Sequence, residues 1–144
     1  MNTTSLYNIL EKEKINYSNH QLLNSGGMIA HYKDITAIIV DEQKADTTVS
    51  RNTVLIQELG HYFSGSYYKT DSDYEIIAKA EFKADKRAWK DFFPYERIKL
   101  LMKKGYTTAT QLAEQFDVEA TYMARCLNYY YDNSHGFTDE KVSI

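Results

Sequence analysis

The chain has 144 residues, a formal charge of −3 at neutral pH and a single cysteine. That length fits one compact domain able to bury about two-thirds of its unfolded surface without staples, and Cys126 alone excludes an intramolecular disulfide. The acidic balance argues against a nucleic-acid footprint, no segment approaches the ~20 apolar residues that span a bilayer, and a reducing cytoplasm is the simplest setting. Residues 1–14 hold Glu11, Lys12, Glu13 and Lys14 and no long apolar run, the pattern of neither a signal peptide nor a membrane anchor.

Leu6, Ile9 and Leu10 recur at helical spacing, so residues 5–15 read as a first amphipathic helix. Residues 16–27 are polar and close on Gly26-Gly27, as a connector does. Two short β-prone runs follow, 28–32 and 35–40, and Lys33-Asp34 between them suits a hairpin turn. After a polar loop, Ser50 or Asn52 is expected to cap a helix running to about Phe63. A loop leads to a long helix, about 74–93, ended by Pro94. A short helix over 95–104 follows, with Gly105 at its C-terminal end. Thr108 with Gln111 predicts a capping box for a helix over 109–116, and a last helix spans about 119–131. The order predicts an α+β domain over 1–131, its part from 95 to 131 all helical, followed by a polar tail over 132–144. Thirteen tyrosines are in excess and cluster at Tyr67-Tyr68 and Tyr129-Tyr130-Tyr131. They suit either amphipathic packing with wet hydroxyls or a substrate groove.

The helix around residue 58 has an informative face. Val54, Gln57, Glu58 and His61 fall at i, i+3, i+4 and i+7, so three polar groups share one side. Leu55, Ile56, Leu59 and Phe63 cover the remainder, and a helix apolar nearly all round is a buried one. Its polar stripe must meet a cleft, a metal or hydrogen-bonding partners, because unpaired buried charge is costly. Gly60, beside the stripe, would admit another backbone. On the next long helix Ile77, Ala80, Ala84, Ala88 and Phe92 form an inner stripe, and Glu81 sits within it. A carboxylate there is expected to point at the core rather than at solvent.

The stretch Leu55-Ile56-Gln57-Glu58-Leu59-Gly60-His61-Tyr62-Phe63 resembles the H-E-L-G-H-Y-F helix of the ImmA/IrrE metallopeptidases, and Glu81 with Ala84, Ala88 and Pro94 resembles that family's E-x-x-A-x-x-x-A signature and closing proline. In the intact H-E-x-x-H pattern two imidazoles one turn apart bind zinc and the intervening Glu acts on the metal's water. The resemblance covers about residues 6–131. It implies a zincin-like helical body with a small antiparallel hairpin or sheet, with His61 and Glu81 as zinc ligands and Glu58 as general base. It further implies a cytoplasmic zinc endopeptidase that cleaves a helix-turn-helix repressor-like protein, derepressing a prophage or mobile element.

Gln57 stands where the first histidine ligand belongs, a position at which some phage relatives of that family carry Glu. Its neutral amide oxygen is a weaker zinc donor than imidazole. Even the loss of a group supporting a ligand costs roughly 10–100-fold in metal affinity. Three states are open. Zinc is held weakly by Gln57, His61 and Glu81; His31, on the strand before the hairpin turn, fills in; or zinc is absent and Gln57, Glu58, His61 and Glu81 form a hydrogen-bonded polar cluster. His20 and His135 fall in the connector and the tail and read as bystanders. The second functional reading is a catalytically inactive descendant that binds its partner as a regulator or antirepressor.

Residues 108–130 have the outline of a helix-turn-helix. A reading helix needs cations around the groove, and between Tyr106 and Tyr131 only Arg125 is basic, against Glu114, Asp117 and Glu119. Direct nucleic-acid binding is therefore not expected. The partner expected is a protein.

Overall fold

The computed structural model describes residues 3–69 and 71–133. The chain order is α1 (Thr3–Lys12), β1 (Ile15–Asn19), β2 (Gly27–Tyr32), β3 (Ile35–Val40), α2 (Thr48–Ser64), α3 (Tyr74–Phe92), α4 (Tyr95–Lys103), α5 (Ala109–Phe116) and α6 (Ala120–Asp132). Helices dominate and pack beside one small sheet, an α+β fold. The tail expected from 132 onward lies, from residue 134, outside the described residues, and His135 with it.

The first helix stops earlier than its apolar spacing suggests. Lys14 takes a φ of 56°, a left-handed conformation that a helix cannot continue through. Ile15, expected at the end of the helix, instead starts a strand that runs on through residues 16–19, where a connector was expected. β1 pairs parallel to β3, Ile15 opposite Thr36 and Asn19 opposite Val40. Its Tyr17 hydroxyl donates to Glu42 Oε1 at 2.9 Å. The hairpin is where the sequence puts it, β2 antiparallel to β3 with Tyr32 opposite Ile35. Lys33 supplies the turn's positive φ of 52°. The sheet is thus mixed, in the order β1-β3-β2. β3 is central because it is the most apolar strand, and Thr36, Ile38 and Val40 put its alternate side chains into the core.

The cap of α2 is Thr47, whose hydroxyl accepts from Ser50 N at 3.0 Å. The residues expected to cap are used elsewhere. Ser50 Oγ donates to Glu119 Oε1 and Asn52 Nδ2 to Asp117 O, tying the start of α2 to the α5–α6 turn. Gly65, at a φ of 67°, closes the helix. The Thr108–Gln111 capping box forms. α2 and α3 come into close contact at Gly60. A Cβ there would meet Ala84 O at 2.4 Å and Ala88 Cβ at 3.0 Å, so the two alanines of α3 and the glycine of α2 permit near contact of backbones. Many of the tyrosines pack as expected. Tyr130 Oη donates to Phe93 O at 2.7 Å, and Tyr129 lies 5.5 Å from Trp89, clasping α6 to α3.

Candidate functional site

The close approach at Gly60 sets His61, the next residue on α2, beside Glu81 on α3. Nε2 of His61 is 3.3 Å from Oε2 of Glu81. His61 is 5% exposed, and its ring is pinned from behind by a 2.7 Å contact between Nδ1 and Ser66 O. Donation to a carbonyl puts the proton on Nδ1, so Nε2 faces Glu81 with its lone pair or, in the imidazolium, a second proton. Ser66 reaches this place because Gly65 turns the chain back on α2, where Ser66 N donates to His61 O at 3.2 Å.

Glu81 departs from its expected place. Its side chain is 42% exposed, so it sits at the rim of the helix pair rather than in the core. The inner stripe continues through Asp85 instead, which is buried. Tyr68, on the loop after α2, donates its hydroxyl to Glu81 Oε1 at 2.5 Å and lies edge-on to His61 at 5.9 Å. Glu58, His61, Tyr67 and Tyr68 wall a cleft of about 470 Å³ with Gly27 and Leu23 of the opposite side. Gly27 matters for closeness: a Cβ there would stand 2.3 Å from Val54 Cγ1 and 3.5 Å from Glu58 Oε1. The start of β2 therefore lies directly against the Glu58 carboxylate.

The charges are strongly coupled. Burial pushes the Glu58 carboxyl up to about 7, opposed by His61 and reinforced by the charge of Glu81. For His61 burial favours the neutral ring, but the Glu81 hydrogen bond, the Ser66 carbonyl and the charges of Glu81 and Glu58 outweigh it and raise the group to about 9. Glu81 is held below the usual carboxylate range by its bond to His61, against burial and with help from Tyr68. Behind it, buried Asp85 pairs with Arg125 of α6, whose guanidinium lies 5.8 Å from the rings of Trp89 and Tyr122.

The donor set fits zinc in two positions of three. A tetrahedral ion with donor bonds of ~2.0–2.1 Å holds neighbouring donors roughly 3.3 Å apart, the separation of His61 Nε2 and Glu81 Oε2. The Nδ1–carbonyl bond is also what orients a metal-binding imidazole. A third strong donor is missing: among the described residues no group of three or more His, Cys, Asp and Glu is arranged to hold a metal ion. Gln57 is half-buried one turn before His61 on α2. His31 is engaged elsewhere, its Nδ1 2.8 Å from Thr36 Oγ1 and its ring stacked on Tyr67 at 5.9 Å.

The structure thus unites Glu58, His61 and Glu81 and adds Tyr68, Ser66 and the Asp85–Arg125 pair. Only the Tyr67-Tyr68 cluster carried a sequence signal for these additions, through its groove alternative. Among the described residues no helix is long and apolar enough to cross a membrane. The chain matches no family model, no curated protein and no solved structure.

Proposed function

We propose that this chain is a zinc-dependent endopeptidase of the ImmA/IrrE type with a weakened metal site, acting in the cytoplasm on a repressor-like protein of a prophage or mobile element. The observation that carries the reading is the meeting of His61 and Glu81 across two helices with Glu58 on the same cleft wall. His61 and Glu81 would hold the ion, with the Gln57 amide as the neutral third donor. The chemistry zinc supplies when bound is Lewis acidity toward a peptide carbonyl and its attacking water.

The remaining work belongs to the chain's own groups. Glu58, poised near neutrality by burial, accepts a proton from the water attacking the peptide bond and returns it to the leaving amine. Ser66 O fixes the imidazole plane of His61, and the Tyr68 hydroxyl steadies Glu81. Tyr67 and Tyr68 give the cleft an aromatic wall beside Glu58 and His61. The test is metal content together with Glu58→Gln. Near-stoichiometric zinc after purification without added metal, and partner degradation in cells that stops with Glu58→Gln, support the reading. Degradation unchanged by Glu58→Gln would refute the protease mechanism.

One observation favours a second reading, a catalytically inactive descendant that binds its partner as a regulator or antirepressor. With two strong donors instead of three, His61 and Glu81 also satisfy each other as an ion pair. Zinc separates the two readings: a chain that stays metal-free after dialysis against zinc is the regulator.

A further inference from the structure

Apart from the cleft, a larger groove of about 750 Å³ runs along the outer face of α3, where Lys83, Lys86, Arg87 and Lys90 face Tyr95 and Tyr129. The four cations follow the i, i+3, i+4, i+7 spacing that puts side chains on one helix face, and their Cα atoms span about 10 Å. Two of the groove's charged groups are already satisfied. Arg87 bonds Asp91 Oδ2 at 2.8 Å and Phe63 O at 2.9 Å. Glu96, the acid in the lining, pairs with Lys99 at 3.6 Å. Among the described residues Lys83, Lys86 and Lys90 form no ion pair. Lys86 instead rests its ammonium 4.5 Å from the Phe82 ring. On a chain of net charge −3, this face concentrates positive charge over an apolar floor.

The floor distinguishes among anionic partners. Tyr129 is packed against Trp89 and, at 6.0 Å, against Phe82, while Tyr95 meets Tyr130 edge-on at 5.7 Å. Rings engaged with one another in this way do not make the open stacking platform that single-stranded nucleic acid uses. They do make a surface for an aliphatic or aromatic side chain. We propose that the groove docks an acidic polypeptide segment, with Asp or Glu side chains meeting Lys83, Lys86 and Lys90 and an apolar side chain lying against Tyr95 and Tyr129. The site adjoins the C-terminal end of α2, where Ser64 contributes to its lining and Arg87 holds Phe63 O. A partner docked there is within reach of the cleft, yet the docking needs neither metal nor catalysis.

The experiment is fluorescence anisotropy of a short labelled peptide rich in Asp and Glu with one Leu, titrated with the full chain at low and at physiological salt. Saturable binding that weakens with salt is expected. Lys83→Glu with Lys90→Glu should weaken it at least about tenfold, since charge reversal converts attraction to repulsion. Both lysines are exposed, so the fold should survive, which thermal unfolding checks. Lys83→Ala with Lys90→Ala should lose less, in the same direction. Absence of saturable binding, or binding indifferent to both double variants, overturns the proposal. Tighter binding of a single-stranded oligonucleotide of equal charge overturns it in favour of a phosphate-backbone surface. A dimer dissolved by the charge reversal overturns it in favour of a second copy of the chain.

Discussion

Replacing Gly60 with alanine tests the contact on which the site depends. The new Cβ would stand 2.4 Å from the carbonyl oxygen of Ala84, whereas ordinary contact lies at 3.4–4 Å. The helices must therefore part by about 1 Å in a close-packed interior. The obstacle is backbone, which cannot rotate away, so the cost falls toward the upper end of the ~1–3 kcal/mol typical of overpacking. Alanine recovers about 1 kcal/mol through its better helix propensity. The net loss is about 1–2 kcal/mol, a fall in Tm of about 3–7 °C for a chain of this length. Thermal unfolding by circular dichroism reads this directly. Adding Ala88→Gly should not restore stability, because the shortest contact is to the Ala84 carbonyl. Parting the helices also loosens Glu81 from His61, so the imidazole titration, followed by NMR, should fall from about 9 toward its ordinary 6.5. A Gly60→Ala protein as stable as the parent, with an unmoved His61 titration, would refute the argument that this contact assembles the site.

Without metal, His61 carries a folded-state value of about 9 against an ordinary 6.5. A raised value contributes stability that is fully present below the unfolded value and lost as pH rises through the folded one. The Tm difference between parent and His61→Gln should therefore shrink between pH 6.5 and 9, and a difference that grows over this window contradicts the assignment. Glu58 follows the same sign over a lower window, from 4.5 to about 7, and Glu58→Gln should remove that part of the pH dependence of Tm. Gln57→His supplies the missing imidazole and should tighten zinc at least about tenfold in a chelator competition; unchanged affinity would mean that residue 57 does not face the ion. Arg125→Ala leaves the buried Asp85 carboxylate without its partner. Because Arg125 is half-exposed, the cost at neutral pH should be about 1–3 kcal/mol, below that of a fully buried pair, measured by urea unfolding and diminishing in acid as Asp85 protonates. An equal loss at acid pH would point to packing on Trp89 and Tyr122 instead.

Local chemistry alone was sufficient for much of this protein. The spacing of Gln57, Glu58 and His61 put three polar groups on one side of α2, because a helix returns to the same face every three to four residues. Thr108 with Gln111, the Lys33-Asp34 turn and Pro94 marked their boundaries for equally local reasons. β1 was not legible, because Asn16, Ser18 and Asn19 have no strand preference and are held by pairing with β3, some twenty residues on. The placement of Glu81 at the rim, with Asp85 taking the buried position, was decided by how α3 lies on α2 and α6. Tyr68 and Ser66 entered the site because Gly65 turns the chain back on His61, and no periodicity records where a loop returns. The sequence by itself determined which side chains share a helix face; only the tertiary structure decided which of them meet across faces, since that distance is set by the close contact of Gly60 with Ala84 and Ala88.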